Sequence, residues 1–255
     1  MIKIKTKEEI EKMRRGGHVL SSVMDEIEKA IKPGIGTESL TKLAEKLILD
    51  QGGRPSFKGY KAAWTEEVYP AALCVSINEE VVHGMAIPNR IIKEGDLVGI
   101  DCGMEYEGMY TDMARTIIVG ETNRKNKKLV SVTQEALMRG IKKVKPGNHV
   151  SDISQAIDSY VRKNGFSVVR QLVGHGVGHT AHEEPQIPNF VDKTITNFEL
   201  KEGMCLAIEP MVNIGGWEVE TSFDGWTIGT KDKSMSAHFE HTVCVTSDGV
   251  EIITQ

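Results

Sequence analysis

The sequence carries a diverged internal duplication. "AIKPGIGTESLTKLAEKLILDQGG" begins at Ala30, and "KVKPGNHVSDISQAIDSYVRKNGF" begins at Lys143. Pro33-Gly34 recurs as Pro146-Gly147, an offset of 113 positions (146 − 33). Leu40, Leu43, Ala44, Leu47 and Ile48 stand at helical spacing, and the same offset reaches Ile153, Ala156, Ile157, Tyr160 and Val161. Both stripes predict amphipathic helices, each closed by a glycine, Gly52 and Gly165. Earlier helical stretches are predicted near residues 8–31 and 125–144. The polar segment 120–126 joins the copies, so the chain reads as one catalytic domain over 1–255 with halves of about 1–120 and 121–255. Its 255 residues, 40% of them hydrophobic, supply ample core for that.

Beyond the helices each copy turns strand-like and ends on an acid. "IIKEGDLVGID" ends at Asp101 and "ELKEGMCLAIE" at Glu209. A second acid precedes another β-rich run in each copy, Asp112 in "GMYTDMARTIIV" and Glu240 in "SAHFEHTVCVT". His83 precedes Pro88 as His182 precedes Pro188. The duplication therefore pairs Asp101 with Glu209, Asp112 with Glu240, and His83 with His182. Asp101 is expected to end one strand and Asp112 to begin or lie in the next, with "GMEYEGMY" turning between them. An acid at the end of an apolar strand is costly to bury unless it is paired or metal-bound. Four carboxylates converging on one axis would raise one another's pKa values until cations neutralise them. Such a donor set suits Mn, Fe(II), Co or Zn, and two ions sharing carboxylates is the economical arrangement. A salt-bridged structural cluster is the competing reading.

The glycine-rich run "LVGHGVGHTAHEEPQIPNF" over 172–190 holds three histidines. Glycine disfavours helix interiors by about 1 kcal/mol relative to alanine, so the run is expected to be extended, with His175 and His179 aimed the same way. It lacks the G-x-G-x-x-G spacing of a dinucleotide loop. The formal net charge of −5 gives no overall basic character for nucleic acid. No apolar run approaches the roughly 20 residues of a membrane span. The first residues lack a secretory h-region, and the chain reads as cytoplasmic. Cys74, Cys102, Cys205 and Cys244 never form C-x-x-C and are expected to be buried thiols.

The stretches "DCGMEYEGMYTDMART", "GHGVGHTAHEEP", "AIEPMV" and "SAHFEHT" resemble the type 1 methionine aminopeptidases, and the resemblance spans essentially the whole chain. It implies an α+β pita-bread fold, two pseudo-symmetric halves whose antiparallel sheet is covered by helices. It implies two divalent ions held by Asp101, Asp112, His175, Glu209 and Glu240, with Asp112 and Glu240 bridging. His83 and His182 then bind substrate or the tetrahedral intermediate, and Glu209 shuttles a proton. Tyr60, Tyr69, Cys74 and Trp226 are implied to line the methionine pocket. The implied reaction is removal of initiator methionine from nascent protein N-termini, preferring a small second residue, through a hydroxide activated by two metals. The enzyme would be a monomer with no membrane or nucleic-acid function, and transient association with the ribosome is a possible partner role. Xaa-Pro peptidases of the same fold, and pita-bread modules that only bind, are the alternatives; retention of all five ligands argues against the latter.

The chain also departs from the family pattern. The stretch "GYKAAWTEEVYP" is about six residues longer than the family's compact motif, Ala181 replaces a bulkier residue, and His238 stands where relatives often carry an amide. His179 is expected to be a bystander near the site mouth. His18, His149 and His241 are read as structural or exposed, and Trp64 and Trp217 as packing or loop anchors. Glu183 and Glu184 are surface charges, one of which could fix the tautomer of His182.

Overall fold

A computed structural model describes residues 2–62, 64–65 and 67–255. Four helices carry the duplication: α1 (Lys7–Ala30) and α2 (Thr37–Asp50) in the first half, α3 (Arg124–Ile141) and α4 (Val150–Lys163) in the second. Thr6 and Glu9 form a reciprocal capping box at the start of α1, satisfying amide groups that a helix end leaves free. Gly52 and Gly165, both with positive φ, follow α2 and α4, as expected of glycine beyond a helix end.

The long strand Leu97–Tyr106 pairs antiparallel with Met109–Ile118 across the tight turn at Glu107 and Gly108. Both turn residues have positive φ, the backbone twist that suits a two-residue hairpin. Met109–Ile118 then pairs with Glu240–Val245, which pairs with Cys205–Ile208, which pairs with Gly174–Gly176. One antiparallel sheet thus crosses from the first half into the second. The seam lies where Ala114 faces Glu240 and Met113 faces His241.

Strand alternation divides this sheet into a helix-facing side and an opposite side. Val98, Ile100, Cys102 and Met104 pack in one core with Leu20, Met24, Ile27, Leu40, Ala44 and Ile48 of α1 and α2. Leu206, Ile208, Val243 and Val245 pack in another with Leu129, Ala136, Ile153 and Ile157 of α3 and α4. Asp101, Asp112 and Glu240 alternate with these apolar residues and so point away from the helices.

Asp101 does not end its strand. It lies mid-way along Leu97–Tyr106, because cross-strand pairing continues down to Tyr106 and Met109. The apolar-run-then-acid pattern marked a carboxylate on the sheet's inner face rather than a strand terminus.

The α1 helix packs so tightly on the C-terminal segment that a Cβ at Gly17 would stand 2.2 Å from the Ile253 carbonyl oxygen. Gly249 has open space around it. Gly17→Ala is expected to destabilise the fold by about 1–3 kcal/mol, the usual cost of overpacking, and Gly249→Ala to be near neutral. Urea denaturation of both variants checks this.

Candidate metal centre

Register places the predicted acids on one face. Asp101 and Glu240 both face Ala114, so all three side chains share a side of the sheet. Asp112 is two residues from Ala114 and projects the same way. Thr242, two residues from Glu240, faces Ala207, and Ala207 faces His175. His175 therefore joins the same face, and Glu209 follows two residues after Ala207. Period two and four strand pairings bring together residues that lie up to 139 positions apart in the chain (240 − 101).

These five residues line a cavity of about 590 Å³ together with His83, His182, Tyr60, Tyr69, Cys74 and Trp226. One donor atom each from Asp112, His175 and Glu240 lie within 4.8 Å of one another. His175 Nε2 is 3.5 Å from Glu209 Oε1, and His238 Nε2 is 3.4 Å from Glu209 Oε2. Asp101 and Glu209 line the cavity beside that trio without belonging to it. The Asp112 backbone is locked by two hydrogen bonds with Thr242: its N–H donates to Thr242 Oγ1, and its carbonyl accepts from that hydroxyl, each at 2.9 Å.

Electrostatics make this arrangement untenable as four bare carboxylates. Burial, reinforced by the charge of Glu209, pushes Asp112 up to about 8. Burial likewise pushes Glu209 up to about 8. Asp101 and Glu240 are driven well above the carboxylate range by burial and then by neighbouring acids. Burial holds His175 down to about 3 and His83 to about 4, and it lowers His182, so the imidazoles are neutral at neutral pH. Asp101 Oδ1 and Glu240 Oε1 are buried without a hydrogen-bond partner. Orphaned carboxylate oxygens beside a neutral imidazole are the donors a divalent cation needs. His175 Nδ1 lies 2.9 Å from the Gly176 carbonyl. With Nδ1–H donating there, the Nε2 lone pair is left for the site. The residues fit a divalent cation.

The two cavity histidines are held by rings. His182 lies 4.4 Å from His175 and 5.1 Å from Tyr60, centroid to centroid. His83 has a positive φ of 57°, and its Nδ1 is buried without a partner.

Several expectations need correction. The extended run stops at Gly176, and Gly178 has φ 141°, so His179 does not follow His175 into the cavity. Its Nε2 instead meets Glu9 Oε1 at 2.8 Å. Glu183 is not a surface charge and does not orient His182. It pairs with buried Lys5 at 2.7 Å and accepts from the backbone N–H groups of His179 and Thr180. Trp64 is no mere anchor, for it lines the cavity. Trp217 does pack, against the Arg170 guanidinium. His18 bonds the Gln255 carbonyl, His149 caps α4 and His241 meets Thr254, structural contacts all. Ala181 is buried. The four cysteines are free and buried.

Residues 11–247 match metallopeptidase family M24. The chain belongs to that family. Methionine aminopeptidase 1 of Bacillus subtilis is 46% identical to it, with both chains covered in full. The methionine aminopeptidase of Escherichia coli K12 is 42% identical over 99% of this chain and 94% of its own. Among M24 structures, the methionine aminopeptidase of Thermotoga maritima superposes with a TM-score of 0.95 at 46% identity, covering both chains entirely. The prolidase of Pyrococcus furiosus gives 0.79 at 26% identity, and the match covers 99% of this chain but 65% of that one. The shared architecture is the pita-bread fold, an α+β arrangement of four helices on a curled antiparallel sheet.

A carboxyl whose pKa is raised on folding favours the folded state while it is protonated. That contribution is full below the ordinary carboxylate range near 4 and is lost as pH rises through about 8, where Asp112 and Glu209 ionise. Metal-depleted protein is therefore expected to lose stability as pH rises from 5 to 9. A divalent cation should remove most of that slope. Thermal melts with and without Mn(II) across this range provide the check.

Proposed function

We propose that this M24 metallopeptidase removes the N-terminal methionine from proteins and peptides by hydrolysis. The observation that carries this reading is a single cavity lined by both a buried acid-and-imidazole cluster and a set of aromatic side chains. Full-length relatives at 42–46% identity bear the name methionine aminopeptidase, which supports methionine over other first residues. Asp101, Asp112, His175, Glu209 and Glu240 would hold two divalent ions, with Asp112 and Glu240 shared at the seam between the halves. When bound, such ions supply a nucleophilic water at neutral pH and polarise the carbonyl under attack.

The chain's own residues do the rest. Glu209 lines the cavity beside the acid trio, with one oxygen toward His175 and the other toward His238, and would take a proton from the attacking water and return it to the leaving amine. His182, a neutral imidazole beside His175, donates a hydrogen bond to the developing oxyanion. His83 orients the substrate from the other copy of the repeat. Tyr69, Cys74 and Trp226 are almost fully buried and, with Tyr60, offer an apolar pocket for a flexible thioether. A small second residue is preferred because two histidines and the acid cluster crowd the cavity beyond the scissile bond.

All of these residues come from one chain, which supports a monomer as the working unit. No described helix is long and apolar enough to cross a membrane. Together with the free cysteines this supports action in the cytoplasm on new protein N-termini, with transient ribosome association as one setting.

Cleavage of Met-Ala-, Met-Lys- and Xaa-Pro-starting peptides by metal-restored protein tests the reading. Met-Ala- cleavage well above the other two is expected; preferential Xaa-Pro cleavage would overturn it. Asp112→Asn is expected to lose metal and activity together, so wild-type metal affinity in that variant contradicts the bridging role. His175→Ala should lose metal along with activity. His182→Ala should keep its metal and lose about 10²–10³ in kcat, the usual effect of deleting one oxyanion donor. His179→Ala should retain both. Metal analysis beside steady-state kinetics separates the three.

A further inference from the structure

One large side chain at the cavity has no part in the chemistry above. Trp64 is 60% exposed, yet its indole lines the same cavity as the acid cluster. It lies nearly parallel to the His83 imidazole, with 17° between the planes and 6.2 Å between centroids. Its ring is also 6.1 Å from Trp226, in an edge-on arrangement. Trp226 in turn meets Tyr69 edge-on at 5.1 Å. These rings form one continuous aromatic wall. The inner end is dry, with Tyr69 2% and Trp226 3% exposed. The outer end is Trp64.

The backbone fixes where Trp64 can be. Tyr69 N–H donates to the Tyr60 carbonyl, and Gly59 N–H donates to the Tyr69 carbonyl, each at 2.8 Å. The two pocket tyrosines that flank Trp64 in the chain are thus tied to each other by main-chain hydrogen bonds. An indole left mostly in water gains free energy when an apolar group covers it. The group that reaches this wall from inside the cavity is the substrate's first side chain. A polarisable thioether makes favourable contacts with aromatic rings, and a methionine side chain is long and flexible enough to lie along the wall.

We propose that Trp64 determines specificity, forming the outer wall of the methionine pocket and packing on the side chain of the substrate's first residue. The inference rests on the methionine-removing reading of this cavity. The role is contact with the substrate's first side chain, distinct from the orienting role given to His83 behind it.

The test compares wild type, Trp64→Ala and Trp64→Phe, all metal-restored, with a Met-Ala-Ser peptide as substrate and free methionine as competitive inhibitor. Free methionine lacks everything beyond the first residue, so its inhibition constant reports the pocket alone. Trp64→Ala is expected to raise KM and the methionine inhibition constant together by about five- to tenfold. Metal content and kcat should stay within about twofold of wild type. Trp64→Phe, which keeps an aromatic face, should recover most of the loss. Unchanged KM and inhibition constant in Trp64→Ala would overturn the proposal. So would a fall in kcat alone, which would make Trp64 a support for His83, or a rise in KM without a rise in the inhibition constant, which would place the contact beyond the first residue. If wild type itself leaves Met-Ala-Ser intact, the functional reading fails and this proposal with it, and the wild-type reaction alone tells the two failures apart.

Discussion

Four carboxylates sit on one buried face of one sheet, and the rest of the structure is arranged around that cost. Removing an ionised carboxylate from water is penalised by several kcal/mol even after relaxation, and here the penalty is compounded by like charges on neighbouring strands. Two states resolve it, protonation or a bound cation. The upward shifts of Asp112 and Glu209 to about 8 express the first, and the orphaned oxygens of Asp101 and Glu240 are what the second would satisfy. No arginine or lysine lines the cavity to neutralise the cluster from within the chain, which removes the salt-bridged alternative among the described residues.

The same constraint explains the helices. A strand that spends one face on acids must spend the other on core, and α1 to α4 cover that face in two separate apolar clusters, one for each copy of the repeat. The copies meet where Met109–Ile118 pairs with Glu240–Val245. Asp112 and Glu240, the pair related by the duplication, lie at this seam. The exchange of hydrogen bonds between Thr242 and the Asp112 backbone ties the halves together beside the cluster. Folding of the sheet and assembly of the site are one event.

Much of this was legible in the sequence because its signals are local or repeated. Helical stripes at a fixed offset gave α2 and α4, and duplicated strand motifs singled out Asp101, Asp112, Glu209 and Glu240 before any pairing was known. What was lost is what depends on non-local geometry. Asp101 read as a strand end because no local pattern reveals that pairing continues to Tyr106. His179 read as parallel to His175 because alternation assumes a strand that Gly178 breaks. Glu183 read as a surface charge because its partner, Lys5, lies 178 residues earlier. Trp64 read as an anchor because nothing in its neighbours reveals that His83 and Trp226 stand behind it.

The central claim is that this cluster is held by protons when cation-free and by divalent cations when loaded. Cation binding must then expel protons. The direct measurement is proton release on titrating Mn(II) into metal-depleted protein in weakly buffered solution at pH 7, below the values near 8 reached by Asp112 and Glu209. Release of up to about four protons per chain, one for each cluster carboxyl that burial raises, falling as the starting pH is raised above 8, is the expected result. Stoichiometric Mn(II) binding at pH 7 with no proton release would contradict the account.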